Sequence, residues 1–171
     1  NLVPDGNFDD CQAAVKLVNG DTVFKKQYSI GAVNSINWAR IVAQVVYYVY
    51  AYTRVMVNSY DRMTVSVPSG NFGNALAAYV AGRMGLDIRV VVATNENDVL
   101  SEYFTTGGYR VRQGDEVQIT QSPSMDIASA SNFERYMFDQ VGRKSYRLRG
   151  LWDQLSKTNQ FVYKLEFARQ L

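Results

Sequence analysis

Apolar residues along the chain switch between helical and extended spacing, and each switch marks an element. Residues 8–18 have helical spacing, with Asn7 placed as N-cap and Asp9 and Asp10 in the first turn, where negative charge suits the helix dipole. Leu2-Val3 ahead of it reads as the tail of a strand, Asn19-Gly20 closes the helix, and residues 22–28 read as a short second one. Residues 41–52 are apolar almost all round and rich in β-branched side chains, so a pair of buried strands competes with a helix there. No turn signal interrupts residues 37–57, and that length predicts a helix burying Val42, Val45, Val49, Thr53 and Met56 on one face, with Asn34 and Ser35 as its caps.

A polar loop at residues 58–61 precedes the stretch that organises the chain. The β-branched run Val65-Ser66-Val67 stops at Pro68, turns through Ser69-Gly70-Asn71-Phe72-Gly73-Asn74, and opens into a helix over residues 75–84. Leu76, Val80 and Met84 line one stripe of that helix, and Gly73, Ala77 and Ala81 a second, small-residue stripe suited to close packing on a sheet. Gly85 stops it, and residues 88–93 form the next strand, uniformly apolar as in a parallel sheet covered on both faces. Residues 94–98 cap a helix over 99–105 that ends at Gly107-Gly108.

Beyond Tyr109 the texture is less regular: a short strand and loop over 118–127, a capping box Ser131-Asn132-Phe133-Glu134 opening a helix to Val141, a stop at Gly142, and a short helix over 148–155. Residues 161–171 carry no closing signal. The order predicts an α/β fold, a parallel sheet with flanking helices and right-handed crossovers. The division expected is an α/β core over 1–110 and a helix-rich extension over 111–171. Ligands in such folds bind at the carboxyl ends of the strands, where residues 69–74 lie.

That placement gives the loop two readings. Gly70 and Gly73 let backbone N–H groups approach an anion at a helix N-terminus, which suits a phosphate. The pattern is G-x-x-G, neither a dinucleotide fingerprint nor a nucleoside-triphosphate loop, so a plain strand-to-helix turn is the other reading. Asn34, Ser35, Asn37 and Arg40 likewise read either as a second anion site or as a helix cap beside a surface arginine.

Composition narrows the chemistry. The chain of 171 residues has no histidine and one cysteine, Cys11, so a Ser-His-Asp triad, a Cys-His pair and a cysteine-built zinc site are excluded. Acid–base work must fall to Lys, Tyr, Asp or Glu, or to a bound cofactor. A net charge of +2 gives no field for nucleic acid, and Arg143, Lys144, Arg147 and Arg149 read as a solvated helix face. No signal segment opens the sequence and no apolar stretch is long enough to span a bilayer, so a soluble, cytoplasmic protein is expected.

Six motifs in order then carry a resemblance: Asp5-Gly6-Asn7-Phe8-Asp9-Asp10-Cys11-Gln12, the run from Gly31 to Arg40, the loop ending at Asn74, Thr94-Asn95-Glu96-Asn97-Asp98, Ser122-Pro123-Ser124-Met125-Asp126-Ile127 and Ser131-Asn132-Phe133-Glu134-Arg135. Together they resemble threonine synthase, of the long fungal and proteobacterial type, and its threonine-synthase-like relatives. The resemblance implies the tryptophan-synthase-β-like fold (fold type II) and a pyridoxal 5'-phosphate enzyme converting O-phosphohomoserine and water to threonine and phosphate. It implies that Ser69, Gly70, Asn71, Phe72, Gly73 and Asn74 hold the cofactor phosphate, and that Asn34, Ser35 and Arg40, with Asn37 nearby, hold the substrate phosphate. Asn74 stands where many relatives have Asp. None of Lys16, Lys25, Lys26, Lys144, Lys157 and Lys164 sits in the context of the family's Schiff-base lysine, so the resemblance implies a central fragment, inactive alone. A threonine-synthase-like phospholyase acting on other amino-alcohol phosphates and a truncated, non-catalytic binding or signalling product are the alternative readings.

Overall fold

In the computed structural model, which describes residues 8–31, 33–56 and 61–164, three helices come first. They are α1 (Phe8–Gly20), α2 (Thr22–Gln27) and α3 (Trp38–Val55). Strand β1 (Met63–Pro68), helix α4 (Gly73–Arg83) and strand β2 (Ile88–Ala93) follow, then α5 (Val99–Thr106) and the short strand β3 (Gly108–Arg110). Two 3-10 turns (Gly114–Glu116 and Pro123–Met125) lead to α6 (Phe133–Gln140), α7 (Ser145–Thr158) and β4 (Gln160–Val162). The strand expected at Leu2-Val3, the cap at Asn7, the loop residues 58–60 and the tail 165–171 lie outside the described residues.

β1 and β2 are parallel, in register from Met63 opposite Ile88 to Pro68 opposite Ala93, so both carboxyl ends reach the same edge. Parallel neighbours need a crossover, and α4 supplies it. The architecture is the expected α/β one. α4 is the innermost helix: Gly73, Ala75, Leu76, Ala77, Ala78 and Ala81 are all buried. Its small side chains let α3 and the sheet approach it from different sides. Met84 does not complete the expected stripe; the helix ends at Arg83, and Met84 is an exposed C-cap before Gly85, whose φ is +111°.

The buried face of α3 keeps two of the expected positions, Val45 and, half-buried against the core, Val49, and differs at the others. Ile41, Val45 and Tyr48 are buried, whereas Val42 and Thr53 are exposed and Met56 is the C-cap. Tyr48 wins the inward place because its ring covers α4 while its hydroxyl finds a partner there. The cap is also corrected: Asn37, not Asn34 or Ser35, accepts from Ala39 N at 2.9 Å. Asn34 closes the preceding turn, its Oδ1 accepting from Ile36 N at 3.2 Å.

An aromatic cluster ties β3, α6 and β4 together. Tyr109 stacks on Phe133 (centroids 4.8 Å apart, 5° between planes) and on Phe161 (5.3 Å, 16°). β3 and β4 pair antiparallel, an element that pattern reasoning missed because three residues are too few to show a period. α7 is longer than the expected 148–155.

No strand forms over 118–127. Polar side chains curl that segment around Asp126, whose carboxylate accepts from Thr120 N (2.9 Å), Thr120 Oγ1 (2.7 Å), Asn95 Nδ2 (2.8 Å) and Asn97 Nδ2 (3.2 Å). The Thr120 N–H, then its hydroxyl, hold the Asp126 carboxyl below the usual carboxylate range. The capping box at Ser131 and Glu134 does not form either; Asn132 takes the N-cap position and its side chain is spent elsewhere.

Candidate functional site

The site grows from the carboxyl end of β1. Ser69 N continues the sheet by donating to Ala93 O at 2.9 Å, after which the chain leaves the sheet and turns into α4. Asn71 Oδ1 accepts from Gly73 N at 2.9 Å, tightening the turn. Phe72 takes a left-handed conformation (φ +63°), a strained place for a bulky residue. Its ring is fully buried against Phe104, Phe133 and Tyr136, so it anchors the loop from below.

The upper side of the loop is open and polar. Ser69 is buried, and among the described residues its Oγ has no hydrogen-bond partner. No described acceptor meets the main-chain N–H groups of Gly70, Asn71, Asn74 or Ala75. They lie at the N-terminus of an 11-residue helix. Such a group of donors, with a helix dipole behind it, favours an oxyanion.

A cleft of about 160 Å³ joins this loop to the residues before α3. Its lining comes from Ser35 and the α3 residues Arg40 and Gln44, from the loop residues Ser69, Gly70, Asn71, Gly73 and Asn74, and from Ser124 and Met125. The Ser35 Oγ, like that of Ser69, is buried without a partner among the described residues. Arg40 is exposed, and among the described residues its one side-chain bond is a long one, 3.5 Å from Nη1 to Val33 O. Among the described residues no carboxylate pairs with it.

The structure therefore brings most of the expected site residues to one cleft. Asn34, Asn37 and Phe72 do not line it: Asn34 and Asn37 are used in local turns and Phe72 in the core. Asn74 reaches it while bound to α3, its Oδ1 accepting from the Tyr48 hydroxyl and its Nδ2 donating to Gln44 Oε1 at 2.8 Å. Gln44 was legible only as a polar interruption in an apolar helix, and Ser124 only as part of a motif without a stated role.

Burial pushes the Tyr48 hydroxyl up to about 12. The folded state thus holds it protonated, and the stability it contributes is complete below the ordinary tyrosine pKa near 10 and is lost as pH rises through about 12. Thermal unfolding scanned from pH 9 to pH 12 is expected to show this loss, and Tyr48→Phe to remove its share while lowering stability at neutral pH by about 1 kcal/mol. An unaltered alkaline slope in that variant contradicts the assignment.

No protein-family model matches the chain. Individual relatives do. It is 55% identical over 153 residues to the threonine synthase of Corynebacterium glutamicum, covering 89% of this chain and 32% of that protein. With the Saccharomyces cerevisiae threonine synthase it shares 48% over 136 residues, 78% of this chain and 26% of that one. The crystal structure of PLP-bound threonine synthase from Brucella melitensis matches with a TM-score of 0.79 at 45% identity, covering 94% of this chain and 34% of that one. The yeast threonine synthase structure matches at 0.75 with 39% identity, covering 93% of this chain and 33% of that one. The chain spans between about a quarter and a third of the length of these relatives (26% to 34%). Over that stretch the chain is similar, in sequence and in fold, to threonine synthases.

Proposed function

We propose that the chain supplies the phosphate-holding part of a pyridoxal 5'-phosphate-dependent threonine synthase. The observation that carries this is the loop 69–74: an orphaned, buried Ser69 hydroxyl, free main-chain N–H groups and two glycines at one helix N-terminus. These residues fit a phosphate monoester, which offers only acceptors to them. The main-chain N–H groups of Gly70, Asn71, Asn74 and Ala75 would hold the cofactor's phosphate, with Ser69 Oγ donating. Bound there, pyridoxal phosphate supplies an electron sink for a carbanion beside a substrate amine.

The residues across the cleft would take a second phosphate. Among the described residues Arg40 is a guanidinium without a carboxylate and Ser35 a hydroxyl without a partner, and both line the same cleft. On this reading they orient the phosphate of O-phosphohomoserine, which leaves as inorganic phosphate when threonine forms with water. The identity to proteins named threonine synthase (44% to 55%) is higher than to human threonine synthase-like 1 (34%), which supports the threonine synthase reading over a threonine-synthase-like one. No lysine lines the cleft among the described residues, so the reading makes the chain by itself inactive.

The test is a calorimetric titration with pyridoxamine 5'-phosphate, which lacks the aldehyde that would label surface lysines, beside pyridoxamine. The phosphate ester is expected to bind and pyridoxamine not to bind. Arg40→Gln is expected to leave that binding in place and to abolish uptake of a second phosphate. Equal binding of the ester and the alcohol, or none of either, overturns the reading.

A further inference from the structure

Two loops that take anions must be held at a set separation, and one residue touches both. Asn132, at the start of α6, is completely buried. Its main-chain N–H donates to Asn71 O at 3.0 Å, inside the 69–74 loop. Its side-chain Nδ2 donates to Ser35 O at 2.9 Å, 97 residues away in sequence. Its Oδ1 accepts from the Arg135 guanidinium, which fixes the amide's orientation, and Arg135 Nη2 donates onward to Ile36 O at 2.6 Å.

The fit around this amide is close. A Cβ on Gly73 would stand 3.0 Å from Asn71 Oδ1 and 3.4 Å from Asn132 Nδ2, so the loop, the helix start and the amide interlock. Buried amides of this kind are costly unless their polar atoms are bonded, and here both Nδ2 and Oδ1 have a partner. The arrangement is more than a helix cap, because the Asn132 side chain makes no capping bond.

We propose that Asn132, oriented by Arg135, is the positioning residue that sets the Ser35–Arg40 side of the cleft against the 69–74 loop. It thereby fixes the separation of the two phosphate groups; the inference rests on the reading proposed above. The two attachments differ in kind. The bond to Asn71 comes from the main chain and survives any substitution except proline, whereas the bond to Ser35 comes from the side chain and does not. Loss of the side chain therefore frees the second-phosphate side alone.

The experiment uses the 171-residue chain, titrated first with pyridoxamine 5'-phosphate and then, once saturated, with inorganic phosphate. Asn132→Ala is expected to weaken the second titration at least about tenfold and the first less than about twofold, because only one of the two attachments is cut. Arg135→Lys keeps the charge but cannot reach both acceptors, and should shift the same ratio by about threefold. A purely structural role would lower both affinities together through the folded fraction; equal loss in both titrations, or loss in neither, overturns the inference. Should Asn132→Ala not fold, Arg135→Lys decides by the same ratio. A wild-type chain that binds neither ligand overturns the two-phosphate reading and this inference with it. A wild-type chain that binds both, with variants that leave the ratio unmoved, overturns the inference alone.

Discussion

Phe72→Ala is expected to lower the stability of the chain by about 3–5 kcal/mol, the range for emptying a buried aromatic site. The ring is wholly buried and has edge-on neighbours at 5.5 Å (Phe133) and 5.6 Å (Tyr136). The same residue sits at φ +63°, which costs an L-residue roughly 1–2 kcal/mol. Alanine keeps that cost and loses the ring. Phe72→Gly loses the ring and relieves the backbone, so it is expected to be more stable than Phe72→Ala by roughly 1 kcal/mol. Urea unfolding of the three proteins checks both statements. Equal midpoints for the two variants would remove the backbone argument, and a loss under about 1 kcal/mol for alanine would remove the anchor.

The second large effect is on binding. A Cβ at Gly70 would meet Ile127 Cδ1 at 2.9 Å and the Met125 backbone at 3.3 Å. The side-chain contact can give way, but the backbone of residues 123–127 is held by the Asp126 network and cannot follow easily. Gly70→Val must therefore displace the loop itself, at about 1–3 kcal/mol of overpacking. Transmitted to the loop's N–H groups, that weakens pyridoxamine 5'-phosphate binding by about tenfold to a hundredfold. Gly82→Ala is the control, since nothing stands within 4 Å of a Cβ there. Unchanged affinity in Gly70→Val means that the loop does not meet the ligand.

These predictions also show where sequence reasoning carries and where it stops. The strand, the glycine turn and α4 were legible because their signals are local: a β-branched run, a proline, two glycines and a run of alanines within twenty-one residues (63–83). Arg40 and Ser35 were legible as a cap or an anion site, but only the fold brings them to the cleft that Ser69 lines. Phe72 was grouped with the loop that it supports from the core side, since neighbouring residues in a tight turn point opposite ways. Asn132 was read as part of a capping box, and its real partner, Ser35, is invisible to any local pattern. Asp126 is a similar case: four donors from three residues draw a polar segment into a loop where a strand was expected.

The central claim is that the main-chain N–H groups of Gly70, Asn71, Asn74 and Ala75 hold a phosphate ester. The pyridoxamine 5'-phosphate titration followed residue by residue, through the amide resonances of the isotopically labelled chain, tests it most directly. The amides of Gly70, Asn71, Asn74 and Ala75 are expected to move on titration and to be unaffected by pyridoxamine, while Gly142, at the far end of α6, stays still. Shifts that gather instead around Lys16 and Arg112, which line a separate cleft, would contradict the account.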